Sequence, residues 1–573
     1  MPLEQYHESS AERRHRHLSG AESENAVTVS DTVQPSIDGV ADDLEKTTKI
    51  KTEDNSQEYV SGVKLGLIVV SVSLACFLTV MDISIISTTI PKITDDFKSL
   101  VDVGWYGSAY NLGSAALVPL TGKMYNHFNL KWTFLVFFLA FELGSALCGA
   151  AQTSAMLIIG RTIAGLGASG IINGSFTIIS TSVPLEKRPP FIGACMGISQ
   201  LDQVIGPLIG GAFTTGYTWR WSFYINLPLG AIVAVPLVII HIPEQIAKQS
   251  PLRVLKASTV FSTLSASPCL HLIGLFCGAG LNAVVWAFWN RHRGDEGLIP
   301  TSMVQRRIAA ISSLNYGLFM AVVFGGVFYL PIYFQAIKEK SAMLSGVYLM
   351  PNILPQILTT ILTGVLGKTH IQPSFSQSSL TCLTVPKVGR IPPFALFAAA
   401  TTAIGSGLYG TFQPNTSTGK WIGYQILAGV GQGFGFQMPL IAIQNDTKPE
   451  HFAEATSLLV WAQYVGPTIF IVAYNTLFTS SLRSEIPKHA PNADVEAIVA
   501  AGATEFRKLV SAEDLPAVLV AYANAIDHVF FLVAAVGVLA FLAAFGMGWS
   551  DIRQKPAAPG TSNDDGSSSP AQA

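Results

Sequence analysis

The strongest constraint on this chain is a run of about twenty apolar residues that recurs along most of its length. A bilayer's hydrocarbon core is about 30 Å thick, and a helix crosses it in about 20 residues. Lipid offers no water to the backbone, so a spanning segment must satisfy its own hydrogen bonds or join a closed barrel. Runs this long are the helical solution. Six fall at 63–86, 104–122, 133–151, 156–179, 190–212 and 223–241, and six more at 309–334, 343–366, 392–411, 421–443, 455–478 and 528–549. Only 13% of the 573 residues are charged, against about 25% in an average soluble domain. The expected fold class is an all-α polytopic membrane protein.

Basic residues in short loops mark the cytoplasmic side of a membrane. Lys123, Lys131, Lys187, Arg188, Lys248, Arg253 and Lys256 occupy alternate loops of the first set. With the amino terminus inside, all of these loops are cytoplasmic. Arg291, Arg293, Arg306 and Arg307 place the start of the second set on the same side. An even number of crossings should therefore lie between Lys256 and Arg291. Two full spans and a turn need more than about 40 residues, and residues 257–290 are fewer. The piece 254–289, with a weak first half and an apolar second half, holds one or two atypical membrane segments.

The expected organisation is a disordered cytoplasmic tail (1–62), an amino-terminal six-helix bundle (63–241), a linker (242–308), a carboxy-terminal six-helix bundle (309–549) and a short disordered tail (550–573). The Ser/Thr-rich stretch 369–387 interrupts the second bundle. Two sets of six spans suggest a repeat-built secondary transporter. The polar first 60 residues carry no signal-peptide pattern. A net charge of −2 gives no basic field for nucleic acid. Six scattered cysteines lack the spacing of a zinc site or a disulfide framework. No GxxxxGK[ST], Gly-x-Ser-x-Gly or HExxH pattern occurs, so an enzyme or an ATP-driven pump is not expected. No cofactor and no metal are expected either.

Ionisable residues inside spans are rare and costly, and they usually line cavities or proton paths. Three carry the functional expectation. Asp82 lies in LTVMDISIISTTIPKI of the first span, Glu142 in VFFLAFELGSALCG of the third and Arg161 in LIIGRTIAGLGASG of the fourth. A carboxylate there can gain and lose a proton, whereas arginine stays charged and needs a carboxylate, carbonyls or water beside it. The bland readings are a locally hydrogen-bonded helix end for Asp82, a structural acid for Glu142 and a snorkelling side chain for Arg161. In the second half the polar residues are amides and aromatics: Asn315, Tyr316, Gln425, Gln432, Gln437, Gln463 and Tyr464. They suit a cavity for a large, mostly apolar substrate, or hydrogen bonds between helices.

These residues resemble the major facilitator superfamily, in particular the fungal toxin- and drug-efflux branch of the 14-span drug:proton antiporters. The likeness runs in order along most of 63–550. LTVMDISIISTTIPKI resembles the first-span motif, with Asp82 at its acidic position, and GKMYNHFNLKW resembles the loop between spans two and three. FELGSALCGAAQTSAMLIIGRTIAGLG carries Arg161 at the family's arginine, and WRWSFYINLPLG, residues 219–230, is close to a subgroup hallmark. YLPIYFQAIK, SGVYLMPNIL and GKWIGYQILAGVGQGFGFQMPLIAIQN extend the likeness through the second half. Asn126 stands where the family usually has an acid, leaving His127 and Lys131 as polar candidates in that loop; 254–269 is a poor seventh span, and 369–387 interrupts a short loop.

The resemblance implies two pseudo-symmetric six-helix bundles with linker helices. It also implies export of small amphipathic compounds in exchange for protons, by alternating access. Asp82 or Glu142 would bind the proton and relax its hold on Arg161. The implied setting is a monomer in a lipid bilayer, at the plasma membrane or at a vacuolar or vesicle membrane. An importer of iron chelates, a non-transporting sensor and a decayed gene product share the same fold. Residues 193–211, GACMGISQLDQVIGPLIGG, resemble the fifth-span antiporter motif through Gly193, Gly197, Gly206, Pro207, Gly210 and Gly211. Leu201–Gln203 reads as a three-residue insertion. On a continuous helix at about 100° per residue, Gly193, Gly197, Gln200, Val204, Pro207 and Gly211 share a close-packing face. Asp202 would then point away from that face, into the central cavity.

Overall fold

The structure is a computed structural model describing residues 60–183, 188–240, 242, 291–292, 304–365, 391–447 and 452–548. The expected tails apart from residues 60–62, the segment 254–289 and the insert 369–387 lie outside the described residues. The side chains of Asn126 and His127 do too.

Every described regular element is a helix. The first half contains α1 (Gly62–Phe97), α2 (Val103–His127), α3 (Leu130–Gly149), α4 (Ser154–Ser182), α5 (Arg188–Gln200), α6 (Asp202–Gly216), α7 (Trp221–Tyr224) and α8 (Asn226–Ile239). The second half contains α9 (Arg307–Ile332), α10 (Ala342–Val347), α11 (Met350–Val365), α12 (Pro392–Tyr409), α13 (Thr418–Gly435), α14 (Met438–Asp446), α15 (Phe452–His489), α16 (Val495–Ala500), α17 (Phe506–Leu509) and α18 (Leu515–Ala544).

Local chemistry starts and sustains these helices. The Asn129 side chain accepts from the Trp132 amide at 3.0 Å and caps α3; Thr153 caps α4 in the same way through Met156. Such caps satisfy donors that have no partner in the helix's first turn. Within α1, the Thr79 hydroxyl donates to the Ala75 carbonyl at 2.8 Å and Thr94 to Pro91 at 2.7 Å. Hydroxyls are thereby satisfied inside an apolar helix. Helix α1 stops at Lys98, whose φ of 50° is left-handed. Helix α9 is apolar on every side, and most of it from Asn315 to Ile332 is buried, as expected of a helix enclosed by others.

Nine helical segments among the described residues are long and apolar enough to cross a membrane. The other expected spans are helical but fall short of that mark. Helix α2 is diluted by Asn111, Ser114, Thr121 and Lys123, and the described part of α11 has only 16 residues. Helix α12 has 18, diluted by Pro392, Pro393, Thr401, Thr402, Ser406 and Tyr409. In the first half α2, α3 and α4 pack on one another, while α1 packs against α4, α5, α6 and α8. In the second half α9 packs against α15 and α18, and α12 against α13 and α18. Contacts between the halves run through α2 with α15, α6 with α10 and α1 with α9.

Candidate functional site

Arg161 is 1% exposed and enters the first half from α4. Its helix lies close on α2: a Cβ at Gly165 would run into the Tyr110 carbonyl oxygen. A guanidinium this deep needs a full set of acceptors. It forms an ion pair with the equally buried Asp82 carboxylate. Its Nη1 also donates to the Asp82 carbonyl at 3.0 Å, and its Nε to the Tyr106 carbonyl at 2.9 Å. The Tyr110 ring covers it at 4.5 Å, and the Tyr110 hydroxyl is held by the Thr79 carbonyl at 2.9 Å. Helices α1, α2 and α4 therefore meet at one charge pair.

The second Asp82 oxygen faces α8. Asn226 donates to it at 3.3 Å and to the Ser145 hydroxyl at 3.1 Å. Asn226 stands inside the WRWSFYINLPLG hallmark. It was not singled out as polar machinery, although an amide opening an apolar span is the same kind of signal as Asp82. Glu142 lies one turn before Ser145 on α3 and does not join this network. Both of its carboxylate oxygens are buried without a hydrogen-bond partner among the described residues. Of the two acids that could hold Arg161, the structure brings only Asp82 to it.

The fifth span departs from the continuous helix expected of it. It breaks at Leu201, where the backbone bonds tighten to i to i+3 (Leu201 N to Ile198 O and Val204 N to Leu201 O, both 3.2 Å). The face computed for an unbroken helix is therefore divided. Gly197 is exposed and Gly193 half-buried, whereas Gly206, Pro207, Gly210 and Gly211 are buried. Asp202 is corrected most. It opens α6 as a fully buried residue and accepts from the Ser84 hydroxyl at 2.7 Å. It shares the α1-facing side with Gly206, whose added Cβ would strike Ser84. The acid is packed between α1 and α6, on the close-packing side of the helix.

The second-half candidates do not converge on one spot. Asn315 is buried and donates to the Ala540 carbonyl of α18 at 2.6 Å, a bond between helices. Tyr316 packs beside Ile443, Ala455 and Leu459. Gln425 is fully buried, and both of its amide atoms lack a partner among the described residues. Gln432 is buried, while Gln437 and Gln463 are half-buried. Tyr464 packs against Ala115 and Val118 of α2, on the seam between the halves.

At the end carrying the α1 carboxy terminus the halves are joined. Gln335 donates to the Thr88 carbonyl at 3.0 Å and to the Ser345 hydroxyl at 2.9 Å. Asp95 accepts from the Thr504 hydroxyl and from the Thr504 and Glu505 amides, the latter at 3.0 and 3.1 Å. Arg507, one turn on, donates to the Ala336 and Ile337 carbonyls, both at 2.9 Å. The 501–508 segment thus ties the first span to the π-helical turn Tyr333–Ile337 that follows α9.

A chain with this geometry has many relatives. The Major Facilitator Superfamily profile matches residues 72–471. The MFS-type transporter pigP of Monascus ruber is 45% identical over 538 residues, covering 90% of this chain and 91% of that protein. The efflux pump mlcE of Penicillium citrinum is 44% identical over 535 residues, covering 88% and 93%. Among solved structures, a bacterial homolog to the human lysosomal transporter Spinster, inward-facing and unoccupied, aligns with a TM-score of 0.60 at 16% identity. That alignment covers 85% of this chain and 98% of the bacterial one.

Proposed function

The chain belongs to the major facilitator superfamily, and from that premise we propose that it exports small amphipathic compounds, a secondary metabolite or a drug, in exchange for protons. It is a multi-pass membrane transporter and not an enzyme. Relatives named as efflux pumps support the direction of transport. The observation that carries the coupling is the buried Asp82–Arg161 pair. A proton arriving on Asp82 removes the countercharge of an arginine that cannot itself discharge. The acceptors around Arg161 come from α1 and α2, so loosening the pair alters how these helices pack. A two-state carrier responds to such a change by shifting between its two open forms, and substrate couples through its different affinity for each. The contacts at Thr88, Asp95 and Arg507 hold one face shut and would part in the other form. Both halves come from one chain, so a monomer suffices, and the plasma membrane is the membrane it would serve.

Inside-out vesicles loaded with the expressed protein provide the test. An imposed proton gradient should drive accumulation of the amphipathic dye rhodamine 6G, and an uncoupler should abolish it. Asp82→Asn should reduce gradient-driven accumulation to the level of empty vesicles. Accumulation that survives both the uncoupler and Asp82→Asn would overturn the reading, and gradient-driven extrusion from these vesicles would reverse its direction.

A further inference from the structure

The two halves also meet beside the fifth span, and the contact there ends in amides. Along α6 the seam with α10 is tight: a Cβ added at Gly211 would strike Met343 and Ala342, and one at Gly346 would strike the Pro207 carbonyl. Toward the cytoplasm the seam passes to α11, where Gln356 donates through Nε2 to Gln203 Oε1. Gln203 in turn donates through Nε2 to Gln200 Oε1 at 2.7 Å. Three side-chain amides therefore form one row that starts in the second half and ends on the last residue of α5.

Gln356 is 5% exposed, Gln203 half-buried and Gln200 exposed. Gln203 reaches across to α11, so the amide bonded to it one turn away faces the second half too, not the lipid. The row lies deep in the membrane. Gln200 follows Arg188, the start of α5, by twelve positions, about 18 Å at 1.5 Å per residue, and Gln203 precedes Gly216 by thirteen, about 20 Å. On the other seam the packing of Tyr464 on Ala115 and Val118 reaches a similar depth, Val118 lying fifteen positions, about 22 Å, from the start of α2. Gln200 thus stands where the halves begin to part toward the cytoplasm.

The row has a direction. Gln356 and Gln203 donate along it, so its open end presents the Gln200 amide as a donor, and no acceptor among the described residues takes that Nε2. Accepting from Gln203 polarises the Gln200 amide and strengthens its N–H. No charged side chain joins the row, and Asp202, next to Gln203 in sequence, is turned to Ser84 on α1. The row therefore sorts ligands by hydrogen-bond pattern and not by net charge. We propose that Gln200 is a specificity-determining residue of the export path, whose N–H receives the carbonyl of a ketone, ester or lactone carried on an apolar body. Gln203 and Gln356 are positioning residues that orient and polarise it. The assignment rests on the export reading for its physiological setting, but it concerns binding alone and is tested without a proton gradient.

The full-length protein in phosphatidylcholine nanodiscs can be titrated with tritiated androstenedione, an apolar diketone, by scintillation proximity. Unlabelled 5α-androstane, the saturated ring system without carbonyls, serves as the competing hydrocarbon. The wild type should bind the ketone saturably and about fivefold more tightly than the hydrocarbon, the scale of one net hydrogen bond. Gln200→Leu should lower ketone affinity about fivefold without weakening the hydrocarbon. Gln200→Glu at pH 8 should do the same, since it still accepts from Gln203 but has no N–H to give. Gln356→Leu should give a smaller loss in the same direction. Gln200 is exposed, so its variants decide the matter should Gln356→Leu fail to fold. No saturable ketone binding, equal affinity of the wild type for both steroids, or a Gln200→Leu protein that keeps the ketone preference would each overturn the proposal. A protein that shows the ketone preference but fails the vesicle test would sink the coupling reading and leave this one standing.

Discussion

Arg161 and Asp82 form an ion pair in which each side chain is about 1% exposed. Such a pair is easily broken and less easily replaced. Removing one partner of a buried pair costs about 3–5 kcal/mol, whereas replacing both by apolar groups is often neutral. Asp82→Asn should therefore lower the thermal unfolding midpoint of the solubilised protein markedly, and the double variant Asp82→Leu/Arg161→Met should recover it. The double variant should still fail at proton-driven transport. A double variant no more stable than Asp82→Asn would remove the argument that an unpaired charge causes the loss.

Asn226 holds the far oxygen of Asp82 and the Ser145 hydroxyl together. Asn226→Leu should destabilise by about 1–3 kcal/mol, the cost of leaving buried acceptors without a donor. Asn226→Asp should be worse, because it sets a second carboxylate against Asp82. Denaturation midpoints unchanged from wild type would show that the bridge contributes little.

Asp202 is buried beside Ser84 and makes no contact with Arg161 in the described network. Asp202→Asn keeps an acceptor for the Ser84 hydroxyl, so gradient-driven transport should persist near the wild-type level. Loss of coupling in this variant, with normal expression and folding, would move the proton site away from Asp82.

The joined face rests on Asp95, which takes three hydrogen bonds from Thr504 and Glu505. Gly502, at φ +94°, lets this loop approach the end of α1. Asp95→Ala should let that face open more often. A Ser345→Cys reporter, at a position fully buried in this structure, should then react about tenfold faster with a membrane-impermeant maleimide, the effect of roughly 1.4 kcal/mol on an equilibrium. An unchanged rate would mean that the 501–508 segment does not hold the face shut.

The membrane helices and the three lone charges were legible because an ionisable side chain in an apolar run stands out in sequence. Which acid would meet Arg161 was not legible, since Asp82 and Glu142 are equally plausible until helix rotation is known. Asn226 escaped notice because it sat inside a motif read for its aromatics. Asp202 was misplaced because both sides of α6 are packed: Gly211 meets Ala342 and Met343 of α10, whereas Asp202 and Gly206 meet Ser84 of α1, and helical phase alone does not say which sides have a partner. The Asp95–Thr504 contact joins residues 409 positions apart, and a polar loop carries no periodic signal of where it will dock.

The most direct test of the account is the pH dependence of the conformational equilibrium, read without any substrate. In nanodiscs, the labelling rate of the Ser345→Cys reporter is measured across pH and normalised at each pH to the rate in denatured protein, which removes the thiol's own titration. The account predicts a rate that changes with pH in the wild-type background and stays flat in Asp82→Asn. An Asp82→Asn protein that folds and keeps the wild-type pH dependence would contradict it.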